Sequence, residues 1–183
     1  MTTMSFFRVT TGLTAMSMLA MAMSPGLAQE RSSRMNGLAL SNDKPIQIES
    51  DKLEIREQEK RALFDGAVKV VQGKMTLNAA HMIVYYKGDS GSVTSGKGDI
   101  DRIVVNGAVS LMSGTQSARG DDGAFDMRSE VLTLTGKQVV LAEGKNVFTG
   151  CKLTVQMKSG QAKLESCGGR VKIQLDPQSG KTN

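Results

Sequence analysis

The sequence predicts an all-β fold built from stacked antiparallel strand repeats, and three observations predict it. Apolar side chains alternate with polar ones at a period of two in many short runs, and beyond residue 28 no stretch holds a helical period for three turns. A Gly-x-Val pattern with a closing glycine recurs along the middle of the chain. Beyond residue 28 the only prolines are Pro45 and Pro177, which bracket the strand-rich region and leave its ladders free of a residue that cannot donate.

The repeats set the organisation. The first reads Phe64-Asp65-Gly66-Ala67-Val68-Lys69-Val70 and closes at Gly73. The second reads Val105-Asn106-Gly107-Ala108-Val109-Ser110-Leu111 and closes at Gly114. A looser third runs from Leu134-Thr135-Gly136 through Val139-Val140-Leu141 to Gly144. The gap between glycines is 7, 7 and 8, so the third copy is expected to carry one extra bulge residue. Strand pairs this alike, stacked side by side, share one continuous core. Further alternation at Ile46 and Ile48, Leu53 and Ile55, Leu77 and Ala79, Phe125 and Met127, and Val171 through Leu175 extends the strand region to both sides.

Around that region the sequence divides simply. Residues 1–28 read as a secretory signal peptide: a basic start without acids, an apolar run over Val9–Leu27, then Gly26 and Ala28 before Gln29. The rival, a retained membrane anchor, is weakened by Gly12, Pro25 and the hydroxyl residues between them. Residues 29–43 are expected as a flexible lead-in, 44–177 as a single β domain and 178–183 as a tail, with one long polar loop over 87–99. Charge is uneven: residues 29–136 hold 14 basic and 15 acidic groups, and residues 137–183 hold 8 and 3. Such polarity suits a phosphate-bearing partner or the back-to-front alignment of identical subunits.

Cys151 and Cys167 flank a hairpin. A three-residue loop at Lys158-Ser159-Gly160 would place Met157 opposite Gln161 and carry the register to Cys151 opposite Cys167. Opposed Cβ atoms lie at disulfide separation, and an oxidising exported compartment favours the bond. A metal or redox role lacks a Cys-x-x-Cys, and the single histidine, His81, lies far off in sequence.

Little else carries chemistry. His81 sits inside a strand-like run without a nucleophile beside it. Gly73-Lys74 has neither the spacing nor the Ser or Thr of a phosphate loop. Asp99 with Asp101, and Asp121 with Asp122, lack a glycine-punctuated calcium loop. Beyond residue 28 there are five aromatic residues and no tryptophan, which disfavours stacking on sugars or bases, so no nucleic-acid partner is expected. No enzymatic activity, cofactor or metal is expected.

The segment Lys44-Pro45-Ile46-Gln47-Ile48-Glu49-Ser50-Asp51, followed by Phe64-x-Gly66-x-Val68-x-Val70, Gly73 and Leu77-x-Ala79, resembles the OstA-like family. Leu132-Thr133-Leu134-Thr135-Gly136 and Gly150-Cys151-Lys152-Leu153-Thr154-Val155 resemble its last repeat, so the likeness spans roughly 44–175. The resemblance implies a twisted, slightly open β-jellyroll with an apolar interior groove. It implies a periplasmic carrier of lipopolysaccharide whose copies stack head to tail between inner-membrane and outer-membrane transport components. By the same resemblance the lipid A acyl chains run along the groove. Ile46 and Ile48 match the opening motif there, and Phe64, Val68 and Val70 share their inward parity. Phe125 and Met127 hold matching positions further on, and Tyr85 and Tyr86 fall at the rim. The cysteine pair and the extra residue before Gly144 depart from the family pattern. The alternative is an exported structural or adhesive β-solenoid without lipid cargo.

Overall fold

Among the described residues of the computed structural model (35–38, 40–41, 44–88 and 99–177), ten strands make one antiparallel sheet. The expected signal peptide, the tail and residues 89–98 of the polar loop lie outside them. In chain order the strands are β1 (Gln47–Glu49), β2 (Lys52–Arg56), β3 (Arg61–Gln72), β4 (Met75–Tyr86), β5 (Ile100–Ser113), β6 (Gln116–Asp126), β7 (Val131–Glu143), β8 (Asn146–Gln156), β9 (Gln161–Glu165) and β10 (Lys172–Gln174). The ladder runs β1-β3-β4-β5-β6-β7-β8-β10, with β2 also paired to β3 and β9 to β8.

The glycine that closes each repeat is a hairpin glycine. Gly73, Gly114 and Gly144 open the two-residue loops of β3–β4, β5–β6 and β7–β8 with φ of 60°, 58° and 58°. Glycine reaches that positive φ without a steric cost, which the tight hairpin requires.

The first glycine of each repeat marks a bulge in the middle of a long strand. Gly66 and Ala67, at φ 79° and 45°, lie between the paired residues Asp65 and Val68, opposite Ala80 alone. Gly107 and Ala108, at φ 80° and 53°, face Asp121 in the same way. In the third copy Gly136, Lys137 and Gln138 together face Cys151, so the expected extra residue is present. Alanine at positive φ costs about 1–2 kcal/mol, which the ladders on both sides sustain. Opposite each bulge the partner strand changes the parity of its buried residues, from Ala79 to Met82 in β4 and from Ala118 to Gly123 in β6.

Aligned across the sheet, the bulges divide it into two half-sheets. β3 pairs with β2 through Arg61–Asp65 and with β1 through Lys69–Val71. At the other end β8 pairs with β10 through Val147–Thr149 and with β9 through Lys152–Gln156. One inward row runs Leu53, Phe64, Met82, Val105, Gly123, Leu134, Leu153, Leu164 across the first half-sheet. Its counterpart on the second runs Ile48, Val70, Leu77, Leu111, Ala118, Leu141, Phe148, Ile173. Residues of both rows meet in a single core cluster. The expected all-β, slightly open jellyroll is the fold observed.

Cys151 and Cys167 are bonded, with Cα atoms 5.8 Å apart. The register leading to them differs from the expected one by a residue. Gln156, not Met157, faces Gln161, and Val155 faces Ala162. The turn therefore spans four residues, closed by the Gly160 N–H donating to the Gln156 carbonyl at 2.7 Å. The physical cause is Met157: its side chain is buried in the core and its N–H donates to Glu130 O at 2.8 Å, which takes it out of the β8–β9 ladder.

Candidate functional site

The two inward rows make the candidate site, an apolar interior between the half-sheets. Of the residues expected to line it, Val68, Val70 and Phe125 are fully buried in the closed core. Ile46, Ile48, Phe64, Tyr86 and Met127 are partly buried and pack against that core from its margins. Burial, with Glu57 as a lesser contributor, pushes the Tyr86 hydroxyl above its ordinary pKa. Tyr85 stands apart: it falls in the outward register opposite Arg102, whose guanidinium lies 4.1 Å from its ring centroid. That geometry is a cation–π contact on the outer surface.

Each row ends in the open on one side, while its other end, Leu164 or Ile48, packs against the core. Leu53 is 55% exposed at the β2 edge, and Ile173 and Leu175 are 60% and 64% exposed at the β10 end. A residue of the same inward parity in the middle of the sheet is wholly covered, so the exposure belongs to the edges and not to the strand pattern. A hollow of about 610 Å³ opens at the β2 edge between Lys52–Glu54, Leu63–Asp65 and His81–Ile83, and brings Phe64 to a mouth. Sequence reasoning did not single out Leu53, Ile173 or Leu175 as site residues. Their alternation was visible, but exposure at a sheet edge follows from strand order, which alternation does not give.

The polar groups near the hollow pair with one another. His81 Nδ1 bonds the Asp65 carboxylate on the exposed face, and the residue across the next ladder is Asn106, whose Nδ2 donates to Asp122 Oδ1 at 2.8 Å. No hydroxyl or thiol stands in register beside the histidine. Among the described residues no group of three or more His, Cys, Asp or Glu is placed to hold a metal, and no helix is long and apolar enough to cross a membrane.

Comparison with known proteins agrees with this architecture. The sequence model of a family described as LptA/(LptD N-terminal domain) LPS transport protein matches residues 47–161. An uncharacterized protein of Rhizobium meliloti (strain 1021) is 57% identical over 180 residues, covering 98% of this chain and 97% of that protein. An uncharacterized Rhizobium etli protein, from the 5' region of an rpoN-linked probable transport protein, is 73% identical over 44 residues, 24% of this chain and 82% of that one. Among solved structures, LptH of Pseudomonas aeruginosa, described as the LptA-homologous periplasmic component of the lipopolysaccharide transport device, superposes with a TM-score of 0.61. That match covers 74% of this chain and 97% of LptH at 16% identity, and it speaks to the fold alone.

Proposed function

Because the chain belongs to the LptA/LptD N-terminal-domain family of lipopolysaccharide transport proteins, we propose that it is a periplasmic carrier of lipopolysaccharide, exported by a signal peptide cleaved after residue 28. One observation supports this reading above the others: two inward apolar rows cross the whole sheet, and each emerges uncovered at one edge, at Leu53 and at Ile173 respectively. Acyl chains moving along such rows gain about 0.8 kcal/mol per buried methylene and need no chemistry to pass. Ile46, Ile48, Phe64, Val68, Val70, Phe125 and Met127 form the lining in this reading, with Tyr86 at its rim and Tyr85 outside.

The same reading has copies associate head to tail between inner-membrane and outer-membrane components. The edges of β1 and β2 at one end, and of β9 and β10 at the other, leave backbone groups free of a further strand among the described residues. Such edges add a neighbour by main-chain pairing. Residues 43–59 hold six acids and three bases whereas the C-terminal end is basic, so unlike ends meet.

Native mass spectrometry of residues 29–183 with lipopolysaccharide, and with a phospholipid control, tests the proposal. Selective uptake of lipopolysaccharide that is lost in Ile48→Asp and Phe64→Asp is the expected result. A folded chain that takes up neither lipid would exclude the carrier. The closed packing of Val68, Val70 and Phe125 favours the second reading, a structural β protein without cargo, and filaments formed without lipid uptake would establish it.

A further inference from the structure

Leu38 is fully buried and Leu40 nearly so, and both join the apolar cluster of Val70, Leu77 and Leu111. Neither belongs to a strand. Met35–Leu38 is a single 3-10 turn, and Leu40 and Ser41 have no regular structure. A segment so short does not hold itself.

Beyond the burial of its leucines, part of its fastening is polar. Gln72 is the one buried polar side chain among the described residues, at 6% exposure. Its Oε1 accepts from the Ser41 N–H at 2.8 Å, and its Nε2 donates to the carbonyls of Ser41 and Lys44 at 2.7 and 2.9 Å. At the other end Gly37 fits so closely that a Cβ there would lie 2.7 Å from Gln116 Oε1. Gln72, Met75, Ser113 and Gln116 follow one another in register at the hairpin ends of β3–β4 and β5–β6. Gly37, Leu38, Leu40 and Ser41 thus lie against the inner face of the second half-sheet at its hairpin end. The Gln72 bonds to Ser41 and Lys44 are ones that water replaces, whereas the apolar strand residues around Leu38 and Leu40 are held in ladders.

We infer that Leu38 and Leu40 are an internal stand-in for cargo: they fill the end of the apolar interior in the empty protein, and acyl chains displace them. This rests on the carrier reading and adds a regulation to it. Leucine side chains and acyl chains offer the same apolar chemistry, so the two compete for one place. The competition lowers apparent affinity by the fraction of molecules already open.

Hydrogen exchange read by mass spectrometry on the exported chain, alone, with lipopolysaccharide and with fully deacylated lipopolysaccharide, tests the inference. Exchange in peptides covering 35–44 is expected to rise about tenfold or more with lipopolysaccharide and to stay unchanged with the deacylated form. The double variant Leu38→Ser, Leu40→Ser is expected to bind lipopolysaccharide about tenfold more tightly, and Gln72→Met to shift in the same direction. Lipopolysaccharide bound by the unaltered chain with 35–44 still protected would overturn the inference and leave the carrier standing. No binding by the unaltered chain or either variant would overturn both.

Discussion

Cys151 is bonded to Cys167 even though the β8–β9 ladder, whose last pair is Lys152 and Glu165, points Cys151 toward Ser166. The chain leaves the ladder after Glu165, and the bond ties the crossover between β9 and β10 back onto β8 beside the third bulge. It therefore fixes the corner where the two half-sheets meet at the C-terminal end. The corresponding N-terminal corner has a hydrogen bond instead, from Asp51 N–H to Gly66 O at 3.0 Å.

Loss of the disulfide should accordingly be felt at one end. The 15 residues between the cysteines correspond to about 3 kcal/mol in the loop-entropy description. Urea unfolding of Cys151→Ser, Cys167→Ser against the oxidised chain is expected to show a loss of about that size. Hydrogen exchange should rise first in β9 and β10 and leave β3 to β6 unchanged.

The second bulge makes a sharper prediction, because its geometry has a single steric partner. A Cβ on Gly107 would lie 2.7 Å from Ala80 Cβ, and Gly107 has φ 80°. Gly107→Ala should destabilise the fold by about 2–3 kcal/mol through clash and backbone strain together. Ala80→Gly made in the same chain removes the clash and leaves the strain. The double-mutant cycle should therefore return a coupling of about 1 kcal/mol, and a coupling of zero would mean that the neighbour is not the constraint.

How these bulges appear in the sequence explains what was legible there. Gly66, Gly107 and Gly136 stood out by their spacing, and the extra residue before Gly144 was read directly as a longer bulge. The strand lengths were not legible for the same reason. In β4 the buried set changes parity between Ala79 and Met82, so a 12-residue strand reads as a short run followed by irregular sequence. A period-two pattern detects strands only where nothing shifts the register. The hairpin at Gly160 failed in the opposite sense: its glycine was recognised, but the burial of Met157, which removes that residue from the ladder, depends on a core no local pattern describes. The burial of Leu38 and Leu40 was hidden likewise, since two leucines without alternation or helical period carry no signal of where they pack.

One turn makes stability depend on acid. Asp126 Oδ1 accepts the N–H groups of Ser129 at 2.8 Å and Arg128 at 3.0 Å, and these bonds, Ser129's first, hold its carboxyl below the ordinary range. A carboxyl depressed in the folded state contributes stability above its unfolded pKa of about 3.9, and that contribution disappears as pH falls through the lower folded value. Asp126→Asn keeps an acceptor but no proton equilibrium. The urea midpoint of the unaltered chain should exceed that of the variant near neutral pH, and the gap should narrow as pH falls from about 5 to about 2. A gap that stays constant over this range would show that the bonds do not distinguish the charged form.

If copies associate head to tail as proposed, that association should depend on both the apolar ends and their charge, and the two are separable. Ile173 ends an inward row at the C-terminal edge, as Ile48 begins it at the N-terminal one, so a second copy placed end to end continues that row. Ile173→Asp places a charge where the row would continue and should abolish concentration-dependent association in sedimentation velocity at every salt concentration. Arg170→Glu with Lys172→Glu reverses the charge at the same end without touching the row. That variant should weaken association strongly at low ionic strength and little at about 0.5 M salt, where exposed charges more than a few ångströms apart are screened. If Ile173→Asp leaves association intact while charge reversal abolishes it, contact between copies is set by the basic surface and the rows do not join; if neither changes it, the β10 end is not the contact.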